Sequence, residues 1–382
     1  MKHTAKKGVI LADIISPDVY YALTIRSPFR RGTILSIDYP HIPRDYRFVT
    51  YDDIKGKASI SVGSADIPIL ANRKIDYEGQ PVAVLVGPDI DRLREFSRQV
   101  KFTLETTKPH DEYEVFSYKQ LLYKEKRETG MLDIMLPKNA SVLEHDFETS
   151  SEYTFHTEPF GAFCAFDYDK MYIYTASQWP ALIHKSVSAM LDIKPDSLIV
   201  KNTYTGPLMS SKIWFPALIS CHAALAAIFS KHAVALVYSR EEDFMYGPAH
   251  SPETSVSVRV GMDEQGNLNA MDLSMVADFG WQAPCASAVI RQFLSSIEGT
   301  YAFKHSRIQG YAVQTNQRPQ DSHTANGTAE ALFTLERTID FCANKARIDP
   351  LAFRKKNLAP TKSKKGKNQN AVFEQIDRKS VV

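Results

Sequence analysis

The chain has 382 residues, a formal net charge of +2 and a hydrophobic content of 44%. These values suit a globular protein with room for two hydrophobic cores, and the near-neutral charge gives no reason to expect a nucleic-acid partner. No apolar run approaches the roughly 20 residues that span a bilayer, and the amino terminus lacks a signal-peptide core, so no membrane attachment is expected. The sequence has four cysteines, Cys164, Cys221, Cys285 and Cys342, and no two of them form a CxxC motif. This argues against an iron–sulfur cluster, a zinc site or a disulfide framework and favours a reducing, cytoplasmic setting.

The first 110 residues predict a mixture of strands and a helix. The run Val82–Val86 (VAVLV) is typical of a buried strand. Asp89 is a suitable N-cap for a helix that carries Ile90, Leu93 and Phe96 on one face. Other strands are predicted at Tyr20–Ile25, Gly32–Ile37 and Val100–Leu104.

Residues 111–142 predict a connecting segment with a short helix at Tyr118–Lys124. From residue 143 a strand–helix–strand pattern follows, with hairpins at Phe163–Thr175 and Ser255–Ala277 and helices at Pro180–Leu191 and Ala217–Phe229. Residues 361–382 include the basic run Lys362–Lys367, which is typical of a solvated tail rather than of an anion-binding site.

The run from Thr315 to Leu358 carries the most specific pattern. A Thr-Asn pair ends a strand-like segment, and a polar loop, a long amphipathic helix, Ile-Asp-Pro-Leu and Arg-Lys-Lys-Asn-Leu follow. This order resembles the first molybdenum-cofactor-binding domain of the xanthine dehydrogenase and aldehyde oxidase family. Upstream, the phrases DIISPDVYYALTIRSP, ILSID and YEGQPVAVLVGPD resemble the hammerhead-type domain of the same family, in the same order.

The resemblance implies an α+β (mixed α/β) fold. Residues 1–110 are expected to form the hammerhead-type α/β domain, 111–142 the connection, 143–360 the cofactor-binding domain and 361–382 the tail. It also implies a molybdopterin cofactor, since relatives use a pyranopterin-bound molybdenum to hydroxylate their substrates. Nothing in the sequence indicates an FAD or iron–sulfur site in this chain.

Four positions correspond to cofactor contacts in the family. Gln178 matches a glutamine whose amide lies near the molybdenum oxo group, although a cap of the helix at Pro180 is an equal alternative. Gly206 and Met209 belong to the loop GPLMSSK, where relatives have Gly-Gly-Gly-Phe-Gly-Gly-Lys. Thr324 stands where relatives have an arginine. In the GPLMSSK loop, Pro207 and the side chains that stand where relatives have glycine indicate that the loop is remodelled or that its cofactor site is empty.

Two further positions correspond to substrate contacts. Asn326 replaces a phenylalanine that stacks on aromatic substrates in the family. Arg291 corresponds to a substrate-binding arginine only with an offset of one residue, and a surface arginine on a half-exposed helix is the favoured alternative. Ile213 follows Lys212 where purine-oxidising relatives have a glutamate, so recognition of a purine by that contact is not expected.

The general base of the family is a glutamate in a second molybdenum domain, which lies downstream of the matched portion. The expected partners are therefore a subunit with that domain, an iron–sulfur subunit and an FAD subunit, and homo-oligomerisation stays open. On this view the chain is an enzyme only within a multi-subunit complex. The alternative is a non-catalytic, cofactor-free structural or assembly paralogue, which the rewritten loops favour.

Overall fold

The computed structural model describes residues 9–15, 18–109, 120–206, 212–248, 250–322 and 326–359. Within these ranges the strands are β1 (Tyr20–Arg26), β2 (Gly32–Asp38), β3 (Arg47–Thr50), β4 (Ser59–Val62), β5 (Ala65–Pro68), β6 (Lys74–Ile75), β7 (Pro81–Gly87), β8 (Lys101–Thr106), β9 (Leu121–Thr129), β10 (Ser141–Thr149), β11 (Gly161–Asp167), β12 (Lys170–Thr175), β13 (Leu198–Asn202), β14 (Val234–Val237), β15 (Glu253–Met262), β16 (Leu268–Asp278) and β17 (His305–Val313). The α-helices are α1 (Ile90–Gln99), α2 (Leu132–Met135), α3 (Pro180–Leu191), α4 (Phe215–Ser230), α5 (Arg240–Tyr246), α6 (Ala286–Ile297), α7 (Thr328–Ala346) and α8 (Pro350–Asn357). The mixed α/β class expected from the sequence is confirmed.

One sheet of seven strands joins two distant parts of the sequence. Its order is β13-β12-β11-β14-β1-β7-β3, so strands from residues 20–87 lie beside strands from residues 161–237. β1 pairs with β14 in parallel and with β7 antiparallel. Every residue of β7 is buried, as its unbroken apolar run predicts.

Helices α3 and α4 pack on this sheet and on each other. All residues from Phe215 to Ala227 of α4 are buried, which explains its high content of alanine, since small side chains allow close packing against neighbours on several sides. The burial includes His222, whose Nε2 lies 2.8 Å from the carbonyl of Ile69. Through this contact, α4 is joined to the amino-terminal part of the chain, in which Ile69 lies.

A second sheet of five strands has the order β10-β15-β16-β17-β9. α6 and α7 pack against it and share its core, where Phe279, Phe293 and Ile339 are fully buried. β16 and β17 run parallel, so their carboxyl ends lie at the same edge of the sheet. The segment from Thr315 towards Asn326 follows β17 at this edge, whereas Gln178 and Gly206 follow β12 and β13 of the seven-stranded sheet.

The prediction of a short helix at Tyr118–Lys124 was wrong for the part of this range that the structure describes. Residues 121–129 form β9, which pairs antiparallel with β17 from Val313 back to Ser306. Its sequence alternates half-buried and exposed positions, a period of two that is typical of a strand with one covered face. The dense charges of this segment lie on an edge strand, where solvent reaches them.

The other predicted elements are confirmed to within a few residues, and α3 has the predicted bounds. The division at residues 110, 142 and 360 stays a prediction, although residues on both sides of 111–142 share the seven-stranded sheet. The predicted tail at 361–382 lies outside the described residues. In the described part of the chain, no helix combines the length and apolar character needed to cross a membrane.

Candidate functional site

Gln178 lies half-buried in the turn between β12 and α3. Its backbone N–H donates to the carbonyl of Lys212 at 2.8 Å, so this turn touches the end of the 206–212 loop. The turn is held by the N–H of Ser177, which donates to Asn202 Oδ1 at 2.8 Å, and Pro180 then begins the helix. The structure therefore brings together two of the segments that the sequence singled out.

Gly206 and Lys212 bound the second loop, and Met209 lies outside the described residues with the rest of 207–211. Gly206 has a φ of +74°, in the left-handed region that glycine adopts readily. A Cβ at this position would have no atom within 4 Å. The glycine is therefore needed for its backbone dihedral angle and not to relieve crowding.

Lys212 is a buried cation, with 5% of its surface exposed. In the described part of the chain no carboxylate forms an ion pair with its ammonium group, and Glu158 and Asp243 act on it only as more distant charges. Burial lowers the pKa of Lys212, and these two carboxylates oppose that change. Glu158 Oε2 is itself buried without a hydrogen-bond partner. The site thus contains positive charge that the described residues leave uncompensated at close range.

Unlike the ammonium group of Lys212, the carboxylate of Asp243 on α5 has several close hydrogen-bond donors. It accepts from Tyr153 Oη at 2.6 Å, the N–H of Phe160 at 3.2 Å and Arg240 at 3.0 Å, and His156 Nε2 lies 3.3 Å away. Burial raises the pKa of Asp243, but the hydrogen bonds and charge of His156 together with the other donors outweigh it and hold the pKa below its usual range. This network fixes α5 beside the site, and Asp243 acts on Lys212 only as a more distant charge.

The Thr315-Asn316 pair follows β17, as expected, and joins the five-stranded sheet to the segment between β6 and β7. Thr315 Oγ1 donates to Asp278 Oδ1 at 2.9 Å, and Asn316 Nδ2 donates to the carbonyl of Asp76 at 2.6 Å. Gly280, at φ +62°, lies where a Cβ would be 2.0 Å from the carbonyl of Arg318. This close approach fixes the entry to the last loop.

Thr324 lies outside the described residues, together with the rest of 323–325. Asn326 has a φ of +51°, which asparagine tolerates better than an aromatic residue does, and its Oδ1 is buried without a partner. Gly327 follows at φ +91°, where a Cβ would lie 2.7 Å from the carbonyl of Val289. The substitution at 326 therefore suits a left-handed turn that starts α7.

Asp321 is a buried carboxyl, 1% exposed, two residues before the 323–325 segment. Its Oδ1 accepts from the N–H of Ser322 at 2.7 Å. The thiol of Cys285 and the indole N–H of Trp214 lie beside this carboxylate and donate to it, and both hydrogen bonds oppose the effect of burial on its pKa. Burial raises the pKa of Asp321 to about 6. Because Trp214 follows Lys212 by two residues, this contact joins the last loop to the second one.

Arg291 lies on the outer face of α6, with 61% of its side chain exposed. Its Nε donates to Tyr123 Oη at 2.9 Å and to Glu125 Oε2 at 3.3 Å on β9. The structure therefore groups Arg291 with a surface network and not with Gln178 or Asp321. Its role in substrate binding stays a prediction, without support from these contacts.

Sequence reasoning missed Asp321, Trp214 and Cys285 as members of one cluster. Each is a single residue outside any periodic pattern, and they come from three separate parts of the chain. The available signal was an aspartate directly before a loop that already carried functional expectations, although aspartate in a loop is usually a solvated turn residue.

A comparison with known protein families finds a match to the molybdopterin cofactor-binding domain over residues 115–358. The chain belongs to this family. Among individual proteins, mouse (Mus musculus) aldehyde oxidase 2 is 23% identical over 374 residues, covering 95% of this chain and 27% of the mouse protein. The nicotinate dehydrogenase large molybdopterin subunit of Eubacterium barkeri is 24% identical over 356 residues, covering 90% of this chain and 83% of that subunit. These relatives place the chain in the molybdenum hydroxylase family, in its molybdopterin-binding region.

Solved structures support the same fold. The aldehyde oxidoreductase of Desulfovibrio gigas superposes with a TM-score of 0.80 at 20% identity, over 92% of this chain and 41% of that one. The quinoline 2-oxidoreductase chain of Pseudomonas putida 86 gives 0.80 at 19% identity, over 92% and 48% respectively. The chain thus spans about a quarter of the first aldehyde oxidases and under half of these structures.

The described residues fit a polar group that carries both negative charge and N–H donors. Among the described residues, Lys212 supplies a buried ammonium group without a close carboxylate. Gln320 Oε1 and Glu158 Oε2 are buried acceptors without a hydrogen-bond partner among these residues. Buried polar atoms without partners cost about 1–3 kcal/mol each, so a polar ligand in contact with them would recover free energy. A molybdopterin has both an anionic phosphate and a pterin ring with N–H groups.

Proposed function

We propose that this chain is the molybdopterin-binding part of an oxidoreductase that hydroxylates an aldehyde or a heterocycle with oxygen from water. The observation that carries the proposal is the convergence of three loops, in which Gln178 contacts Lys212 and Trp214 contacts Asp321. The family match and relatives named as oxidases and dehydrogenases support the reaction class. When bound, the cofactor supplies a molybdenum centre that takes two electrons from the oxidised carbon.

The residues of this chain bind and orient that group. Lys212 neutralises its negative charge in a buried setting, where an ion pair is stronger than in water. The Gln178 side chain provides an amide donor beside it, and Gly206 gives the backbone its left-handed turn. Met209 and Thr324 are further proposed cofactor contacts, and Asn326 a proposed substrate contact, each on the family resemblance.

Partner chains complete the proposed enzyme. One carries the second molybdenum domain with its glutamate base, and others carry iron–sulfur clusters and FAD to remove the electrons. Two bacterial relatives, named as the large molybdopterin subunit of nicotinate dehydrogenase and as a probable xanthine dehydrogenase subunit of Bacillus subtilis, support an assembly of several chains. We place this assembly in the cytoplasm, and the amino-terminal part of the chain in a hammerhead-type domain.

The test is cofactor content. The protein, co-expressed with its genomic neighbours, is expected to contain about one molybdenum and one pterin per chain, measured by metal mass spectrometry and by fluorescence of the oxidised pterin. Lys212→Met removes the buried charge and should lower both contents at least tenfold. Lys185→Met, an exposed lysine on α3, is the matched control and should leave them unchanged.

Two results would refute the proposal at different levels. Absence of molybdenum, under conditions that load a related enzyme, would leave the cofactor-free structural or assembly paralogue, which the rewritten loops at 206–212 and 323–327 favour. Full loading without dye reduction by any aldehyde or heterocycle in the presence of the partner chains would refute the reaction and leave the cofactor assignment standing.

A further inference from the structure

The outermost strand of the five-stranded sheet, β10, has one open edge. β10 pairs with β15 along its whole length, from Ser141 to Thr149, and in the described part of the chain no strand lies on its other side. Apart from the ladder with β15, no backbone hydrogen bond joins β10 to another described segment. Natural edge strands are usually short or carry proline or lysine, because a free edge can pair with another chain. β10 contains neither residue.

The opposite edge strand, β9, is protected by its own charges. Lys126 Nζ lies 2.7 Å from Glu128 Oε2 on the same strand. Arg127 forms ion pairs with Glu125 at 2.8 Å and with Glu298 of α6 at 2.7 Å. Opposite charges that already pair within the chain offer a second chain neither a uniform charge nor an apolar surface. The open edge is therefore a property of β10 and not of the sheet as a whole.

One face of β10 is acidic. Side chains alternate along a strand, and the exposed set on this face is Val142, Glu144, Asp146 and Glu148. The cation opposite Glu144 on β15 is Arg259, which pairs with Asp272 instead. Successive acids on one face of a strand lie about 7 Å apart, so these carboxylates repel one another. A segment with cations at every second residue would relieve that repulsion.

The other face of β10 packs against α7 and carries aromatic rings. The ring of Phe147 lies 5.7 Å from that of Phe333, which is 45% exposed. His145 stacks on Phe341 with 4.1 Å between the ring centroids. Phe333 and Phe341 are eight residues apart on α7, so they lie on one side of the helix. The cation on this side, Arg337, lies over the Phe341 ring, so positive charge on an incoming strand is favoured on the opposite, acidic face.

We propose that the open edge of β10 binds an extended segment of a partner protein in which Lys or Arg alternates with apolar residues. A strand paired with β10 continues the sheet, so one set of its side chains lies beside the three carboxylates and the other beside the phenylalanines of α7. A second copy of this chain does not fit. Its β10 would bring acids against either these acids or the aromatic rings, and its β9 has charged side chains on both faces.

The test is calorimetric binding of a blocked peptide of alternating valine and lysine, with the nine-residue length of β10, to the full chain. It should bind at least tenfold more tightly than an alternating valine–glutamate peptide, or than a peptide of the same composition with its lysines in one block. Reversing the acidic face should invert the preference between the lysine and glutamate peptides: Glu144→Lys, Asp146→Lys and Glu148→Lys together. The matched control reverses three exposed acids beside the seven-stranded sheet and should keep the preference: Asp167→Lys, Asp169→Lys and Asp196→Lys.

Two N-methylated peptides separate strand pairing from attraction between charges alone. Every second N–H of a strand points to the same neighbour, so methylation of one alternate set removes the donors to β10 and methylation of the other set leaves them. One peptide should lose at least tenfold in affinity, and the other should bind like the parent. Equal effects of the two, or an unchanged preference in the charge-reversed protein, would overturn the proposal. So would a dimer that the charge reversal dissociates, or a peptide affinity that rises when residues 361–382 are deleted, since each would show a different occupant.

Discussion

Replacing Asp321 by asparagine should stabilise the ligand-free protein at alkaline pH. The carboxyl is 1% exposed and its pKa rises from 3.8 to about 6, mainly because burial disfavours the charge. A raised acid pKa means that the folded state binds the proton more tightly than the unfolded state does. The contribution of Asp321 to stability therefore falls as pH rises from about 4 to about 6 and stays low above that.

The size of the effect follows from the same shift. An ionised Asp321 costs about 3 kcal/mol of folding free energy at pH 8 and about 1.5 kcal/mol at pH 5, from 1.36 kcal/mol per pKa unit. Burying the asparagine N–H₂ group without an acceptor destabilises the variant by about 1 kcal/mol, which offsets part of this gain. The variant should thus be more stable by about 2 kcal/mol at pH 8 and by about 0.5 kcal/mol at pH 5.

Urea unfolding of the two ligand-free proteins, followed by tryptophan fluorescence at pH 5 and pH 8, measures this difference. The titratable neighbours do not interfere, because burial raises the pKa of the Cys285 thiol and lowers the pKa of the His250 imidazole to about 4, so both are uncharged across the range. A variant that is less stable at both pH values, or a difference in stability that does not change between them, would refute the raised pKa of the buried carboxyl.

Three further outcomes test the fold. His222 is buried, and burial lowers its pKa to about 4, so its contribution to stability is lost as pH falls from 6.5 to about 4. Between pH 7 and pH 4 the free energy of unfolding in urea should therefore fall by about 3 kcal/mol more in the wild type than in His222→Gln. Equal losses in the two proteins would contradict a neutral histidine at this position. Ile173→Ala, in the fully buried middle of β12, should cost about 2–5 kcal/mol, whereas Val237→Ala, 40% exposed, should cost under about 0.5 kcal/mol; similar values would argue against the core as described. Gly280→Ala should lower the melting temperature much more than Gly63→Ala, since both have positive φ but only Gly280 has a carbonyl 2.0 Å from the added Cβ; equal shifts would contradict that close approach.

The parts of the fold that the sequence predicted well are those with a clear hydrophobic period. The helix at Pro180–Leu191 has its apolar residues at a spacing of four, and β7 is an unbroken apolar run, so local pattern and tertiary burial agree. β9 was missed because its charges obscure the strand alternation, and its pairing with β17 joins residues that lie far apart in the sequence. Only the tertiary structure shows that this segment completes a sheet.

The candidate site was predictable only where a sequence motif carried it. Gln178 and the 206–212 loop were found through family phrases, and the structure brings their backbones into contact. The role of Asp321 depends on what surrounds it, namely Trp214 from one segment and Cys285 from another. A lone aspartate in a polar loop gives no such information, because burial and the side chains that contact it are properties of the folded chain.

We propose that the loops at Gln178, Lys212 and Asp321 hold a molybdopterin. A crystal structure of the co-expressed, molybdenum-loaded protein, with diffraction data collected on both sides of the molybdenum absorption edge, tests it most directly. We expect one anomalous peak beside the Gln178 amide, with the pterin in contact with Lys212 or Asp321. A molybdenum peak elsewhere in the complex, with these three side chains touching only protein and water, would contradict it.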